Sequence, residues 1–290
     1  ANWFSMDPLD GKHMITLANE VYETLDAPNV TSGTWDLVYV LGTNPENGVV
    51  FTATVGDVHG SAIYVGACGD CGVTANDAKF QNRIATNMGG SAPPEPGTDA
   101  GWHDATAAGL PNRLITAIEI DPTDPKTVYV GMGGYMSPFR DVNAFQEHST
   151  GANPEAGNLF VSKDAGETFT SIQGDLPSMP VTTILVREGQ LVIGGDFGAF
   201  ISADLSGISW TPLGSGLPNV PVTQVKLQPG NPNKVYASTF GRHIWTYEFT
   251  GDAAVKVESK EGRGLLIGAF PAGAMLSLML LAWVRVRRRH

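Results

Sequence analysis

The chain has 290 residues, enough for a substantial core, with 35 Gly and 19 Pro against only 16% charged side chains. That composition suits a turn-dense all-β protein and argues against a helical bundle. Net charge is −11, and residues 1–250 carry 11 basic against 26 acidic side chains. So acidic a body excludes a nucleic-acid surface, which needs clustered Lys and Arg.

Taken in order, short apolar runs separated by turn residues recur in two fixed frames. Leu110-Pro111 precedes Ile115-Thr116, Leu176-Pro177 precedes Val181-Thr182, and Leu217-Pro218 precedes Val222-Thr223. Asp7-Pro8, Asp121-Pro122 and Gln228-Pro229 are each followed seven positions later by an apolar pair: Met14-Ile15, Val128-Tyr129 and Val235-Tyr236. Offsets held over so many positions mark an internal repeat of three- or four-stranded units, the content of propeller blades. Five cycles are predicted. The first runs from Trp3 through Met14–Ala18 and Val21–Leu25 to Trp35–Leu41. The second starts near Val50 and holds Ser61–Gly66. The third spans Leu114 to Ile172. The fourth holds Val181–Val186, Leu191–Gly194, Ala199–Ser202 and Trp210–Leu213. The fifth holds Val222–Leu227, Lys234–Thr239 and His243–Phe249, and its outer strand is expected from elsewhere in the chain.

Two stretches break the period: residues 74–109, read as mostly irregular loop, and residues 134–156, richer in aromatics and charge. Long loops on a rigid scaffold are where binding residues concentrate. Residues 251–263 read as a polar stalk. Residues 264–284, from Gly264 through Pro271 to Trp283 and Val284, contain no charge and are long enough to cross a bilayer as a helix. Arg285, Arg287, Arg288 and Arg289 follow and belong on the cytoplasmic side. The expectation is a single-pass anchor at 264–284, a cytoplasmic tail at 285–290 and an acidic body outside the cytoplasm. Ala1-Asn2-Trp3 has neither a basic nor an apolar leader segment, so the chain reads as processed or as part of something longer.

The turn Ser162-Lys-Asp164-Ala-Gly166-Glu-Thr168-Phe169 resembles the Asp-box of sialidase-type (BNR-repeat) β-propellers, with Phe in place of the usual Trp. Ser202-Ala-Asp204-Leu-Ser-Gly207-Ile-Ser-Trp210 is similar, with one residue inserted. Thr24-Leu-Asp26 with Gly33-Thr34-Trp35 resembles a third, more stretched copy. Ser238–Trp245 is similar to the last-blade ending of bacterial relatives. The likeness covers residues 1–249. It implies an all-β propeller of four-stranded blades in a group that includes sialidases, xyloglucan-cleaving hydrolases, sortilin-type receptors and a photosystem II assembly factor. Members usually have six, seven or ten blades, which implies that further blades, or a neighbouring subunit, complete the ring. In this family the Asp-box is a structural turn remote from any active site, so the resemblance implies a fold and not an activity.

Candidate chemistry is sparse. Cys68 and Cys71 are the two cysteines, and outside the cytoplasm a local disulfide is the expected reading. A redox pair would need a helix N-terminus, zinc would need two further ligands, and haem attachment would need a following His. Of His13, His59, His103, His148, His243 and His290, the pairs Asp57-x-His59 and His103-Asp104 lie where they could share a propeller face, without a spacing that demands a metal. A glycoside hydrolase needs two carboxylates across a cleft, and Asp70, Asp141, Glu147 and Asp196 are the candidates. The arginines Arg83, Arg113, Arg140, Arg187 and Arg242 are too few and scattered for a sialidase cluster. Asn29-Val-Thr31 is a glycosylation sequon on a turn.

No cofactor or metal is expected. The expected function is non-catalytic: a membrane-held propeller binding protein or glycan through its loops, with Gly268, Ala272, Gly273 and Ala274 of the anchor meeting other membrane subunits. The alternative is a tethered glycosidase acting on extracellular polysaccharide.

Overall fold

A computed structural model describes residues 3–31, 33–45, 48–69, 80–134, 157–249 and 257–259. Among the described residues, twenty short strands and one turn of 3-10 helix at Ala27–Asn29 make up the regular structure. The strands form five four-stranded antiparallel sheets, each ordered along the chain, so every sheet is one blade. Blade one holds β1 (Trp3–Met6), β2 (Met14–Leu17), β3 (Glu20–Thr24) and β4 (Asp36–Val40). Blade two holds β5 (Thr52–His59), β6 (Ala62–Gly69), β7 (Gln81–Thr86) and β8 (His103–Asp104). Blade three holds β9 (Ile115–Asp121), β10 (Asp124–Met132), β11 (Leu159–Ser162) and β12 (Thr170–Ser171). Blade four holds β13 (Val181–Arg187), β14 (Gln190–Gly195), β15 (Gly198–Ser202) and β16 (Trp210–Pro212). Blade five holds β17 (Val222–Gln228), β18 (Asn231–Thr239), β19 (Ile244–Glu248) and β20 (Val257–Ser259).

The first strand of each blade lies innermost. Beginning at β1, each packs beside its successor: β5, β9, β13 and then β17. This is the propeller architecture that the repeat predicted. The core is four apolar slabs, one between each successive pair of blades. Blades two, three and four are therefore apolar on both faces. Alternation along an inner strand decides which neighbour each side chain meets. In β9, Ile118 and Ile120 pack against blade two, and Ala117 packs against blade four. We call these the leading and trailing faces of a blade.

One contact repeats at the junctions. The Thr54 hydroxyl reaches the carbonyl of Ile115 at 2.8 Å, Thr116 reaches that of Val181 at 2.6 Å, and Thr182 reaches that of Val222. Each hydroxyl is shared with a carbonyl of its own second strand, on Gly66, Gly131 and Gly194. Those three residues are glycine for a steric reason. A Cβ would lie 2.7 Å from Ile115 at Gly66, 2.8 Å from Val181 at Gly131 and 2.7 Å from Val222 at Gly194. Blade five breaks the pattern: its register places Ser238 opposite Gln224, where blades two, three and four have glycine. Thr223 there turns to the hydroxyl of Ser238 at 2.8 Å.

Two expectations are refined. Residues 74–109 are not purely loop: β7 and β8 within them complete blade two, and the other described residues of that stretch lie outside the named strands. The strand was hidden by its polar start, Gln81-Asn82-Arg83, and its inward apolar content is only Ile84 and Ala85. Residues 251–263 are not purely a stalk either. Val257–Ser259 pairs with Trp245–Tyr247 and supplies the missing outer strand of blade five. Since β20 follows β19 in the chain, it completes that blade without bridging to blade one. Residues 134–156 and the anchor, including Gly264, Pro271, Trp283, Arg285 and Arg287, lie essentially outside the described residues. Among the described residues no helix is long and apolar enough to cross a membrane.

Gly131→Ala forces a methyl onto Val181, including its carbonyl oxygen at 2.9 Å. The expected cost is about 1–3 kcal/mol, typical of overpacking, read as a lower urea midpoint with unchanged slope.

Candidate functional site

The inner strands of all five blades surround an axial channel of about 490 Å³. Counting along each inner strand from its threonine, or from the equivalent position in β1, one level of the channel holds Ser5, Asp57, Glu119, Leu185 and Lys226. Asp57 accepts the amide of Ile120 at 3.0 Å and the hydroxyl of Ser5 at 3.3 Å. Glu119 accepts the amide of Val186 at 3.4 Å. Each carboxylate thus receives a backbone N–H from the following blade and acts as a polar staple across the junction.

Both carboxyls are half-buried within the channel, and both have pKa values raised above the ordinary range. Burial is the main cause for each. The Asp57 charge adds to the shift of Glu119, while Lys226 and the bound amides oppose it. The channel therefore offers a protonatable acid, a second carboxylate and an ammonium at one level. His59 and the Trp3 indole also line it. That set can donate and accept hydrogen bonds to a polar ligand.

Asp57 and His59 do not meet His103 and Asp104. They lie on the innermost and outermost strands of one blade, three strand spacings or about 14 Å apart. His103 instead faces Glu167 at 3.5 Å, and Asp104 pairs with Arg83 at 3.1 Å. The exposed His243 sits at positive φ in the β18–β19 turn. His13 is buried between Glu23 at 2.5 Å and Asp7 at 3.3 Å. Burial lowers its pKa, but hydrogen bonds and charge from Glu23 and Asp7 outweigh that, and the net shift is upward. Its partners carry the staple further. Asp7 accepts the amide of Gly60 in blade two at 3.0 Å, and Glu23 accepts that of Gly97 at 2.5 Å.

The turns at Ser162–Phe169 and Ser202–Trp210 lie between the third and fourth strands of their blades, and their side chains act as fasteners. Ser162 donates to Asp164 at 2.7 Å and accepts the amide of Gly166 at 2.9 Å. Asp164 accepts the amide of Thr168 at 2.8 Å and its hydroxyl at 2.5 Å. Ala165 and Gly166 both take positive φ, and Phe169 is buried in the slab between blades two and three. The turn also grips the connector between those blades, since Phe169 donates its amide to Ala108 and Ala107 donates to Gly166. In the second copy, buried Ser202 accepts the amide of Leu191 at 2.8 Å, and Asp204 accepts that of Ser206 at 2.7 Å. Gly207 takes positive φ, and its carbonyl accepts the indole N–H of the buried Trp210 at 2.8 Å. In the stretched copy, Asp26 binds the Asn29 side chain at 2.9 Å and so stabilises the 3-10 turn.

Of the proposed catalytic carboxylates, Asp196 lies half-buried in the β14–β15 turn. Asp70, Asp141 and Glu147 fall outside the described residues, as do Arg140, His148 and His290. The described arginines do not converge. Arg83 lies over the Phe51 ring at 3.9 Å, and Arg187 lies over the Phe249 ring at 3.7 Å. Arg113 is buried and binds the carbonyl of Gly157, with Nε and Nη1 unpaired, so burial lowers its pKa to about 10. Arg242 is exposed, and its carbonyl accepts the Trp245 indole. Cys68, the penultimate residue of β6, is fully buried. Cys71 is outside the described residues, and so is the expected pairing. Sequence reasoning missed Glu119 and Lys226. The signal was present: Thr54–Asp57, Thr116–Glu119 and Thr223–Lys226 share the spacing Thr-x-x-charged.

No family model matches the chain, and no curated protein matches it. Solved structures do. The GH74 xyloglucanase from Xanthomonas campestris matches over 92% of this chain and 37% of its own, at 11% identity and a TM-score of 0.52. An ancestral GH74 enzyme matches over 91% and 32%, at 17% identity and the same score. The likeness supports the fold, and the chain spans about a third of each neighbour's length.

Glu119→Gln keeps the oxygen that accepts the Val186 amide and removes the buried charge. A carboxyl with a raised folded pKa destabilises the fold as pH rises from its unfolded value through its folded one. The variant should therefore melt close to the parent at pH 5 and higher at pH 9, by roughly 2–4 °C, the response of such a domain to about 1 kcal/mol. Asp164 has the opposite sign, because the Thr168 side chain first, and the amides of its turn, lower its pKa. Asp164→Ala should cost about 1 kcal/mol at pH 7, and the deficit should vanish as pH falls through the lowered carboxyl pKa.

Proposed function

We propose that the chain is a non-catalytic, membrane-anchored propeller outside the cytoplasm that binds protein partners as a subunit or assembly factor of a membrane complex. The observation that carries this reading is the use made of the carboxylates. Asp57 and Glu119 staple adjacent blades through backbone amides, and Asp164 and Asp204 close turns. An acid committed to an amide of the scaffold is poorly placed to reach a scissile bond. The uncharged run at 264–284, followed by arginines, supports attachment to a membrane with the acidic body on the far side from the tail.

A second reading has one observation in its favour. A channel that sets a carboxyl of raised pKa beside another carboxylate meets the minimum requirement of a general acid and its partner in glycoside hydrolysis. On that reading the chain is a tethered glycosidase.

Purification in mild detergent should yield the chain with a stoichiometric membrane polypeptide, and a monodisperse monomer would overturn the first reading. Screened on soluble and insoluble glycans, the parent should show no turnover. Hydrolysis abolished by Glu119→Gln or Asp196→Asn would establish the second reading instead.

A further inference from the structure

Between β7 and β8 the chain leaves blade two, reaches onto blade one and returns, over residues 87–102. Its base is fixed. Asn87 Oδ1 accepts the amide of Ile63 at 2.9 Å, and its Nδ2 donates to the carbonyl of Ser61 at 2.8 Å. Gly101, at φ +78°, closes the loop where a Cβ would lie 2.7 Å from the Asn87 carbonyl oxygen. Trp102 stacks on Tyr39 of blade one, with ring centroids 5.0 Å apart. Between these points runs Ser91-Ala92-Pro93-Pro94-Glu95-Pro96-Gly97. Proline fixes φ at three of these positions, and the residue before each proline is confined to the extended region. The arm from Ala92 to Glu95 is therefore biased towards a polyproline conformation before any partner arrives. It ends in a type II turn: Thr98 donates its amide to the Glu95 carbonyl at 3.2 Å, with Pro96 second and Gly97 third at φ +75°.

The tip of that turn is hooked to a buried charge cluster. Gly97 donates its amide to Glu23 at 2.5 Å, the only hydrogen bond from residues 88–101 to another blade among the described residues. The other oxygen of Glu23 meets His13, and His13 meets Asp7. Both ring nitrogens face carboxylate oxygens, so the ring sits as an imidazolium between two acids. All three side chains are between 1% and 4% exposed, on the trailing face of blade one. Committing buried charge to the place of one exposed turn is costly, and what it secures is a fixed shape. The arm itself buries little: Ser91, Ala92, Pro93, Glu95 and Pro96 are exposed. Among the described residues the carbonyls of Pro93 and Pro94 accept no hydrogen bond. Residues 87–102 contain no basic side chain, while Glu95 and Asp99 are exposed on them. The Asp36 carboxylate lies beside the tip, 3.2 Å from where a Gly97 Cβ would stand.

We propose that residues 92–97 are a preformed prolyl recognition arm that docks into an aromatic-lined groove, bearing a basic side chain, on a separate protein. Each part of that groove answers a feature of the arm. Aromatic rings stack on the exposed prolyl faces, and donors on the groove take the free carbonyls of Pro93 and Pro94. A basic group meets the negative charge of Glu95, Asp99 and Asp36. Holding the arm in one shape before binding lowers the ordering cost of association. The position of the arm favours a separate protein. It lies on the rim where blades one and two meet, over a slab that those two blades already fill, so no further blade has a seat there. The inference rests on the partner-binding reading above and specifies which surface binds and what it binds.

The test uses the full chain in its native cells with Ala92 replaced by the photo-crosslinker benzoylphenylalanine. After irradiation and mild-detergent purification, the adduct is sequenced by mass spectrometry. The expected result is a peptide of another polypeptide that contains aromatic residues and a Lys or Arg. An adduct to a second copy, to another part of the same polypeptide, to lipid or to a peptide without aromatic residues overturns the inference. So does a copurifying partner that leaves no adduct at residue 92, and in that case the partner-binding reading stands alone. Absence of any partner overturns both. The double substitution Pro93→Ala with Pro94→Ala should reduce copurified partner about tenfold or more, as loss of an interface anchor does. The melting temperature should fall by no more than a few degrees, the entropic share of two prolines. Pro229→Ala, in the exposed turn between β17 and β18, should leave the yield unchanged. Undiminished yield from the double variant, or equal loss from both, would also sink the inference.

Discussion

The rest of the architecture depends on how closely one inner strand approaches the blade before it. At three successive junctions a threonine hydroxyl meets the first carbonyl of the next inner strand, and a glycine in the second strand makes room for that strand's β-branched side chain. The hydrogen bond fixes the axial register, and the missing Cβ fixes the separation. Once both are set, alternation along the strands sends apolar side chains into the slabs on either side, and the rest of each blade follows by antiparallel pairing. Because burial is shared between neighbours, no blade owns a complete core. Stability is then a sum over junctions, as in other stacked repeats.

Polar groups near the axis answer to the same constraint. An inner strand is a sheet edge, and its inward amides need acceptors. Asp57 and Glu119 supply two of them, and the Thr183 hydroxyl takes the amide of Val225 at 3.2 Å. The cost appears as carboxyls that resist ionisation, partly relieved by Lys226. His13 solves a related problem with charge, holding two buried acids at once, so its contribution to stability is complete below its ordinary pKa and fades as pH rises through the raised one. At both places electrostatics joins segments that lie far apart in the chain.

Much of this was legible in the sequence because the junction is local in its chemistry. The Leu-Pro…Thr frame marks two of the three residues that donate across a junction, Thr116 and Thr182, and the Ser-x-Asp turns at Ser162 and Ser202 mark where third strands end. What escaped notice was a strand without an apolar signature. β7 starts with three polar residues, one of which, Asn82, is spent on the carbonyls of Pro111 and Arg113. β20 is three residues long and sits in a polar context. The axial site was hidden for a different reason: Asp57, Glu119 and Lys226 are separated by scores of residues, and only the closure of blades around a common axis brings them to one level.

The position of β20 has a mechanical consequence. It is the outermost strand of its blade and the last described element, joined to the body by pairing with Trp245, Thr246 and Tyr247. Tension applied to the carboxyl-terminal end enters the body there. An edge strand pulled from its own terminus opens one rung at a time, a low-force path compared with shearing many rungs at once. Blade five would shed this strand while Val222, Val225 and Val235 stayed packed on blade four, so β20 is the first element to yield and the slab behind it the last.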